Sequence, residues 1–582
     1  MQISQVKIKG FRNFKDATIN FNERSLIIGQ NDIGKSNLIY ALRLLLDKSL
    51  SEIDLEPKEG DFYVHDEISQ MSIQVKFSDV TEDCLRAKFK GNISDNNELV
   101  LRYEADKKSM EYTLKHGKDE NSLDDFESRY YLRTLNLKYV STKRDLHNYI
   151  NREKKNLIIQ SKESRSPDST QEDNISLNKI NRNLDITNNR IRKLNFVKDA
   201  TNTINEELEK LSIHHLGNEV KFSTGATSSE DFINDLELVS EINGSNLRIG
   251  GDGRNNQIFL SLWSKSNNES TGENVPTSIT LYCIEEPEAH LHPHQQRKLA
   301  EYLVNSFNNQ VIITSHSPQI ACEFKPGSII RLYNAQPDTL AANEGCSNAL
   351  AHAIDDFAYR LNIIPAEAYF SRVVFLVEGP SELLFYKSLA QRLGIDLDKY
   401  GISILMVDGV GFDVYLSIFK ELNIPCVLRT DNDISKVPYK DKYRCAGVQR
   451  CISIYKNFFC DESNDKELEK LIEREDELKE LDSQNLSDEV NSLINKLKQE
   501  LEKKGIFISF VDLETDLVKS KLNKAIKDFL KVETVEDLIK RMQDKKAIFM
   551  YSFLKEKSSD LFILIDDPIS KPLLECRELA RV

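Results

Sequence analysis

Cysteine is scarce in this sequence and never paired by spacing. Nine residues are scattered, an odd number, and no two stand as C-x-x-C. That argues against a disulfide framework or a zinc finger and fits a reducing cell interior. No apolar run approaches the roughly 20 residues that span a bilayer, so no membrane part is expected. The opening MQISQVKIKGFRNF alternates like a strand and lacks a signal peptide's continuous apolar core; a cytoplasmic location is the expectation. Positive charge is not in excess either. The formal balance of −15 argues against indiscriminate polyanion binding. It leaves DNA open, because local basic faces and metal ions can dominate the contact. What is present is a globular composition rich in charge, and 582 residues give room for about two to four domains.

The first half reads as a nucleotide engine. In RSLIIGQNDIGKSNLIYALRLLL a short apolar strand, Leu26 to Ile28, meets Gly29, and Gly34-Lys35-Ser36 opens an amphipathic helix. This is G-x-x-x-x-G-K-S between a strand and a helix. Glycines let backbone N–H groups curl around phosphate, Lys35 reaches the β/γ oxygens and Ser36 ligates Mg²⁺. Asn31 and Asn37, in the same NDIGKSN run, are counted to the ATP site. The acids that such a loop needs come in ITLYCIEEPEAHLHPHQQ. Glu285 would hold the Mg²⁺ shell at a strand end, and Glu286 would polarise the attacking water. His290, His292 and His294 are read as structural, since no Cys or acid at ligand spacing flanks them. In QVIITSHSPQI, His316 stands just past a strand end, placed to sense the γ-phosphate. In LRIGGDGR, Gly251 and Gly253 make a turn before a helix, suited to offering its N-terminus to the γ-phosphate of a second subunit.

That order resembles the ABC-type ATPases of the RecF, Rad50 and structural-maintenance-of-chromosomes group, and IKGFRNF resembles the group's opening strand. The resemblance implies that Arg12 and Asn13 approach the nucleotide, and that two copies associate when ATP binds. No clear glutamine loop is found; Gln74, in SIQVKF, is the candidate. From about 150 to 215 the texture changes. Residues 151–174 are expected to be polar and mobile, and the Leu/Ile spacing that follows predicts a helical hairpin, read as a dimerisation insert.

The second half gathers acids. VVFLVEGPSE places Glu378 at the end of a buried strand, with Glu382 one helical turn later. IPCVLRTDND ends another strand in Asp431 and Asp433, whose i and i+2 carboxylates point to one side and need a cation between them. IFISFVDLETDLV is expected to be a further strand ending in Asp512, Glu514 and Asp516, and Lys546 follows Lys545 at the start of an apolar helix. Asp512 and Glu514 would suit a second cation beside the Asp431 and Asp433 pair, and Lys546 offers positive charge to an anionic group there. A charged helical hairpin at about 463–504 reads as a packing arm.

A Glu-Gly turn followed by D-x-D resembles the Toprim domain, with Glu378 as acid/base or metal ligand, Asp431 and Asp433 as the metal pair, and Glu382 as a supporting ligand. An ABC-type ATPase followed by Toprim is the layout of the OLD (overcoming lysogenization defect) nucleases, and the chain is most similar there to the nuclease subunits of Gabija anti-phage systems. The fold implied is α/β: an ABC-type P-loop ATPase domain over 1–335 with a helical dimerisation insert, then a Toprim nuclease domain over 336–582. The resemblance implies ATP-regulated cleavage of double-stranded DNA, ATP with one Mg²⁺, and two Mg²⁺ or Mn²⁺ ions in the Toprim site. It also implies a homodimer or tetramer and an operon-encoded partner, either helicase-like or a retron reverse transcriptase with its DNA–RNA hybrid. The rival is a RecF/Rad50-like DNA-organising or repair ATPase whose Toprim unit docks without cutting. A topoisomerase or primase is disfavoured, for lack of a zinc module or a tyrosine-bearing cleavage domain.

Overall fold

The computed structural model describes residues 1–126, 128–141, 154–155, 157–159, 161–211, 220–221, 229–234, 239–242, 245–248, 258, 278–347, 363–407, 411–437, 439–460, 465–481 and 486–581. They form two compact units. The larger comprises 1–141, 276–288 and 292–582; the smaller comprises 142–275 and 289–291.

The larger unit opens with an antiparallel sheet of β1 (Gln2–Phe11), β2 (Phe14–Asn20), β4 (Gln70–Ser78), β5 (Leu99–Asp106), β6 (Tyr112–Asp119) and β7 (Ser122–Phe126), in the order β2-β1-β4-β5-β6-β7. Gln74 sits inside β4 and accepts hydrogen bonds from the Arg102 guanidinium on β5. It is a ladder residue of this sheet, which corrects the reading of Gln74 as part of a glutamine loop.

A second sheet joins β3 (Arg24–Ile28), β8 (Leu135–Val140), β11 (Ile279–Glu285), β12 (Val311–Thr314), β13 (Ile329–Ala335) and β14 (Asp338–Ala341), in the order β14-β13-β3-β12-β11-β8. All pairs are parallel except β13–β14. Strands buried on both faces read as continuous apolar runs, and LIIG and LYCIE do so. The parallel register aligns Glu285 with Thr314, and Thr314 with Ile27. The residues that leave these strands therefore emerge on one edge of the sheet. The helix Lys35–Leu46 buries Leu38, Leu42 and Leu45, each contributing about 1.5–3 kcal/mol.

The C-terminal sheet is wholly parallel: β15 (Val373–Val377), β16 (Ile402–Met406), β17 (Cys426–Thr430) and β20 (Ile506–Ile508), in the order β16-β15-β17-β20. The chain runs outward from β15 to β16, then crosses back to β17 on the other side. The carboxyl ends of β15 and β17 therefore flank the point where strand order reverses, and at such a point a crevice opens for ligands. A short ribbon, β18 (Ile434–Lys436) with β19 (Tyr443–Cys445), follows β17. In the charged arm, helices Lys466–Ile472 and Asp488–Glu502 form, the second capped by Ser487.

The two halves of the larger unit are bolted together by Arg331 on β13. Its guanidinium donates to the Leu422 and Asn423 carbonyls at 3.1 Å and the Ser371 carbonyl at 3.0 Å, and burial pulls its pKa down to about 10. Arg331 is in register with Ile28, the last residue before the phosphate-loop glycine Gly29.

In the smaller unit, helices Pro167–Arg192 and Asn195–Leu211 are present with a ribbon of β9 (Val239–Ile242) and β10 (Ser245–Arg248). The expectation of a mobile run over 151–174 is corrected from Pro167 onward. The Ser166 side chain accepts from the Ser169 N–H, and Pro167 occupies the first helical position, two devices that start helices even in polar sequence.

Candidate active sites

The phosphate loop leaves β3 at Gly29 and enters its helix through Gly34, which takes φ 106°, a conformation that glycine adopts without strain. A Cβ at Gly34 would also sit 2.0 Å from the Asn13 side chain. Asn13 donates to the Ile33 carbonyl and to Thr339 Oγ1, and accepts from Asn37. Arg12 pairs with Asp61 and donates to Asn37. Arg12 and Asn13 are thus packed against the loop and its helix. Lys35 Nζ folds onto the Gly29 and Gln30 carbonyls at 3.0 and 2.8 Å; burial, opposed by Glu286, Asp32 and Glu285, pulls it down to about 8. Ser36 is exposed in the first turn. Gln30, Asn31, His316, Glu367 and Phe370 help line a cavity of about 480 Å³ over the loop.

Across the sheet, Tyr139 donates to Glu285 Oε2 at 2.7 Å. Glu286 takes φ 43°, a region unfavourable to non-glycine residues, and its carboxylate lies 3.3 Å from His316 Nε2. Burial, and then Lys35, lower the His316 pKa against the pull of Glu286. Glu288, which the sequence reading passed over, accepts from Ser315 Oγ and the His316 N–H at 2.6 and 2.9 Å. Gly251 and Gly253 lie outside the described residues.

The second site is built on the reversal point of the C-terminal sheet. β15 delivers Glu378, and the helix Pro380–Arg392 begins two residues on. Glu382, at its third position, accepts from the Glu378 and Gly379 N–H groups at 2.6 and 3.1 Å. Of the two glutamates it is Glu382 that caps the helix. That leaves the Glu378 side chain for β17, where it accepts from the Thr430 hydroxyl and, at 2.9 Å, from the Asp431 N–H. Arg450, on the helix Ala446–Ile454, donates to Glu378 at 2.6 Å, Thr430 at 2.8 Å and Asp433 at 2.7 Å. That helix sits against the D-N-D loop at Gly447, where a Cβ would come within 2.2 Å of the Asp431 carbonyl oxygen.

Beneath lies Arg429, with 3% of its side chain exposed, 2.5 Å from Asp516 and 3.6 Å from Glu382. Burial, and Glu378 after Arg429 has opposed it, push Glu382 up to about 7.

The loop after β20 is tied to the D-N-D loop: Asn432 N–H donates to the Val511 carbonyl and its amide to the Phe510 carbonyl. The expectation of a strand running into Asp512, Glu514 and Asp516 is corrected. The strand ends at Ile508, and Asp512 caps the helix Leu513–Lys519 by accepting from Thr515. The apolar IFISF run continues in sequence, but an Asp three residues before a Thr N–H stops the strand by capping a helix. Lys546 Nζ lies 3.1 Å from Glu514 and 3.6 Å from Asp512, and Lys545 is the N-cap residue of the same helix. The structure thus joins Glu378 to Asp433 through Arg450 and to Asp431 through that residue's backbone N–H, and it joins Asp512 to Glu514 through Lys546. Sequence reasoning missed Arg429 and Arg450. Arg429 left one signal, a charge inside the buried strand CVLRT; Arg450 left none.

The donor set suits a hard divalent cation, being carboxylate oxygen throughout. Burial, then the charges of Glu382 and Glu378, push Asp431 up to about 8, and Glu382 Oε1 is buried with no hydrogen-bond partner. Such a cluster has more carboxylate than cation and retains a proton in its place. As the side chains stand, no three His, Cys, Asp or Glu among the described residues are arranged around one metal position; Arg450 bridges Glu378 and Asp433.

A pH dependence follows. Asp431 ordinarily titrates at 3.8 and here near 8. The stability that its proton contributes is full below the ordinary value and is lost as pH rises through the folded one. Glu382 adds in the same direction up to about 7. In EDTA, Tm is expected to fall from about pH 5 to about pH 8, and the Tm gain from added Mn²⁺ to grow over the same range. Differential scanning fluorimetry checks both; a metal-free Tm that rises across this window would contradict the proton assignment.

Residues 1–321 match the AAA ATPase domain family, and residues 369–433 match the TOPRIM domain of proteins like the overcoming lysogenization defect protein. Endonuclease GajA of Bacillus cereus (strain VD045) is 26% identical over 588 residues, covering 96% of this chain and 96% of that one. The Old nuclease of Escherichia phage P2 is 24% identical over 473 residues, covering 72% and 74%. The OLD nuclease of Thermus scotoductus is 28% identical over 173 residues, covering 28% and 32%.

Proposed function

We infer the function from one premise: this chain belongs to the AAA ATPase domain family and, with its OLD-like Toprim domain, to the OLD nucleases. It is an ATPase-linked nuclease. The reading in full is an ATP-regulated, divalent-metal-dependent endonuclease that cuts double-stranded DNA in anti-phage defence. The observation that carries it is the hydrogen bond by which the Asp431 N–H holds the Glu378 carboxylate at the reversal point of the C-terminal sheet, which sets the two acids side by side.

In this reading Glu378, Asp431 and Asp433 would hold one Mg²⁺ or Mn²⁺, and Asp512 and Glu514 would hold a second. Bound there, the ions supply Lewis-acid charge to the phosphate and acidify water. Glu378 takes the proton of the attacking water. Glu382 fixes the turn on which Glu378 stands, through the two N–H groups that it holds. Lys546 faces the charge that develops on the phosphorane oxygens. In the ATPase half, Lys35 and Ser36 hold the ATP phosphates and their Mg²⁺, with Asn31 and Asn37 beside them. Glu285 and Glu286 serve metal and water, His316 senses the γ-phosphate, and Gly251 and Gly253 serve the site of a second copy. A cytoplasmic homodimer or tetramer is the working form, with a helicase-like partner or a retron reverse transcriptase bearing its DNA–RNA hybrid.

The test incubates the purified protein with supercoiled plasmid and Mg²⁺ or Mn²⁺, with and without ATP. Nicked or linear DNA is expected only with metal, and Lys35→Ala should abolish the response to ATP. An intact plasmid under every condition would favour the DNA-organising ATPase instead.

A further inference from the structure

The Arg450 guanidinium makes three hydrogen bonds, to Glu378, Thr430 and Asp433. They join it to the end of β17 at Thr430, to Glu378 directly after β15 and to Asp433 in the loop that follows β17; β15 and β17 are the two strands that flank the reversal point. Both carboxylates belong to the group assigned above to the first metal ion, and on that reading the present inference rests. We propose that Arg450 is a built-in cation lock: it holds Glu378 and Asp433 while no metal is bound, and a divalent ion must displace it to enter.

Two observations support this beyond the ion pairs. The helix that carries Arg450 is fixed against the D-N-D loop, since Gly447 leaves no room for a Cβ and its N–H donates to the Asp433 carbonyl at 3.2 Å. The guanidinium is therefore delivered by a rigid element. About a third of the Arg450 side chain is exposed, so a route outward is open without unfolding the helix. An arginine fits the task because its planar fork spans two carboxylates at once and never loses its charge. By mass action, a site closed by its own cation binds a second cation more weakly, the apparent Kd rising by the inverse of the fraction that stands open.

The test titrates Mn²⁺ into metal-free, DNA-free full-length protein by isothermal calorimetry, with Mn²⁺ electron paramagnetic resonance as a second readout. Arg450→Gln should bind Mn²⁺ at least about tenfold more tightly than the parent, the worth of one charge-assisted hydrogen bond. Arg450→Lys, which keeps charge without the fork, should fall between. The Mn²⁺-induced rise in Tm should be largest in Arg450→Gln. Affinity that is unchanged or weaker in a variant with a parent-like circular dichroism spectrum overturns the lock. If Arg450→Gln does not fold, Arg450→Lys decides alone: affinity no greater than the parent's overturns the proposal. Loss of the nuclease reading is distinguishable, because then Mn²⁺ would bind the parent and Glu378→Gln equally.

Discussion

Glu378→Gln is expected to lower plasmid cleavage about 10³-fold or more, the range for removing a proton-transferring group that also binds metal. ATP hydrolysis should be unchanged. The substitution is chosen because glutamine keeps an oxygen for the Thr430 hydroxyl and the Asp431 N–H, the two uncharged contacts of this side chain. What it removes is the charge. The ion pair with Arg450 goes with it, but that pair is partly exposed, 35% and 27% on its two sides, so the loss of stability should be small. A plasmid-nicking time course beside a phosphate-release assay checks both halves. Cleavage above about a tenth of the parent rate would remove Glu378 from the chemistry.

The largest effect on stability is expected at Arg429. Its guanidinium is almost fully buried between Asp516 and Glu382, whose side chains are 15% and 5% exposed. Arg429→Met would leave both acids without their cation in a dry place, at a cost of about 3–5 kcal/mol. The two acids are not equally harmed. Glu382, already at about 7, escapes by keeping its proton, whereas Asp516 loses the closer of the two Arg429 contacts. The loss should therefore be smaller at about pH 6 than at about pH 8, and Asp516→Asn should recover part of it. Urea unfolding of the three proteins at the two pH values measures this. A transition unmoved by Arg429→Met would mean that the guanidinium does not neutralise the pair.

Local signals carried the fold a long way. Gly29 and Gly34 mark the phosphate loop because only a strand, a tight glycine turn and a helix start accommodate that spacing. VVFLV and CVLRT mark central parallel strands because both faces must be apolar. An acid directly after such a strand must emerge at the crevice edge, so Glu378 and Asp431 could be located before any coordinates. Contacts that cross the chain left no such trace. Arg450 reaches Glu378 over 72 residues, and nothing in AGVQRCISI announces it. Asp512 was legible as an acid but not as a cap, since capping depends on where the backbone turns after Ser509. The roles of the two glutamates in EGPSE were likewise settled by geometry, because either could have closed the helix N-terminus.

Glu367 and Phe370, which wall the cavity over the phosphate loop, stand just before β15 in the chain, and β15 runs unbroken from Val373 to Val377 with Glu378 the next residue, a span on the order of 17 Å. The cavity over the phosphate loop and the Glu378 carboxylate are thus mounted near opposite ends of one short beam. Arg331 clamps that beam at its root by gripping the Ser371 carbonyl from the strand beside the phosphate loop. A beam clamped there does not shift at its root without breaking the hydrogen bonds of a buried guanidinium. It follows that a displacement of the cavity wall would reach Glu378 as a movement of one rigid element rather than as a local bend.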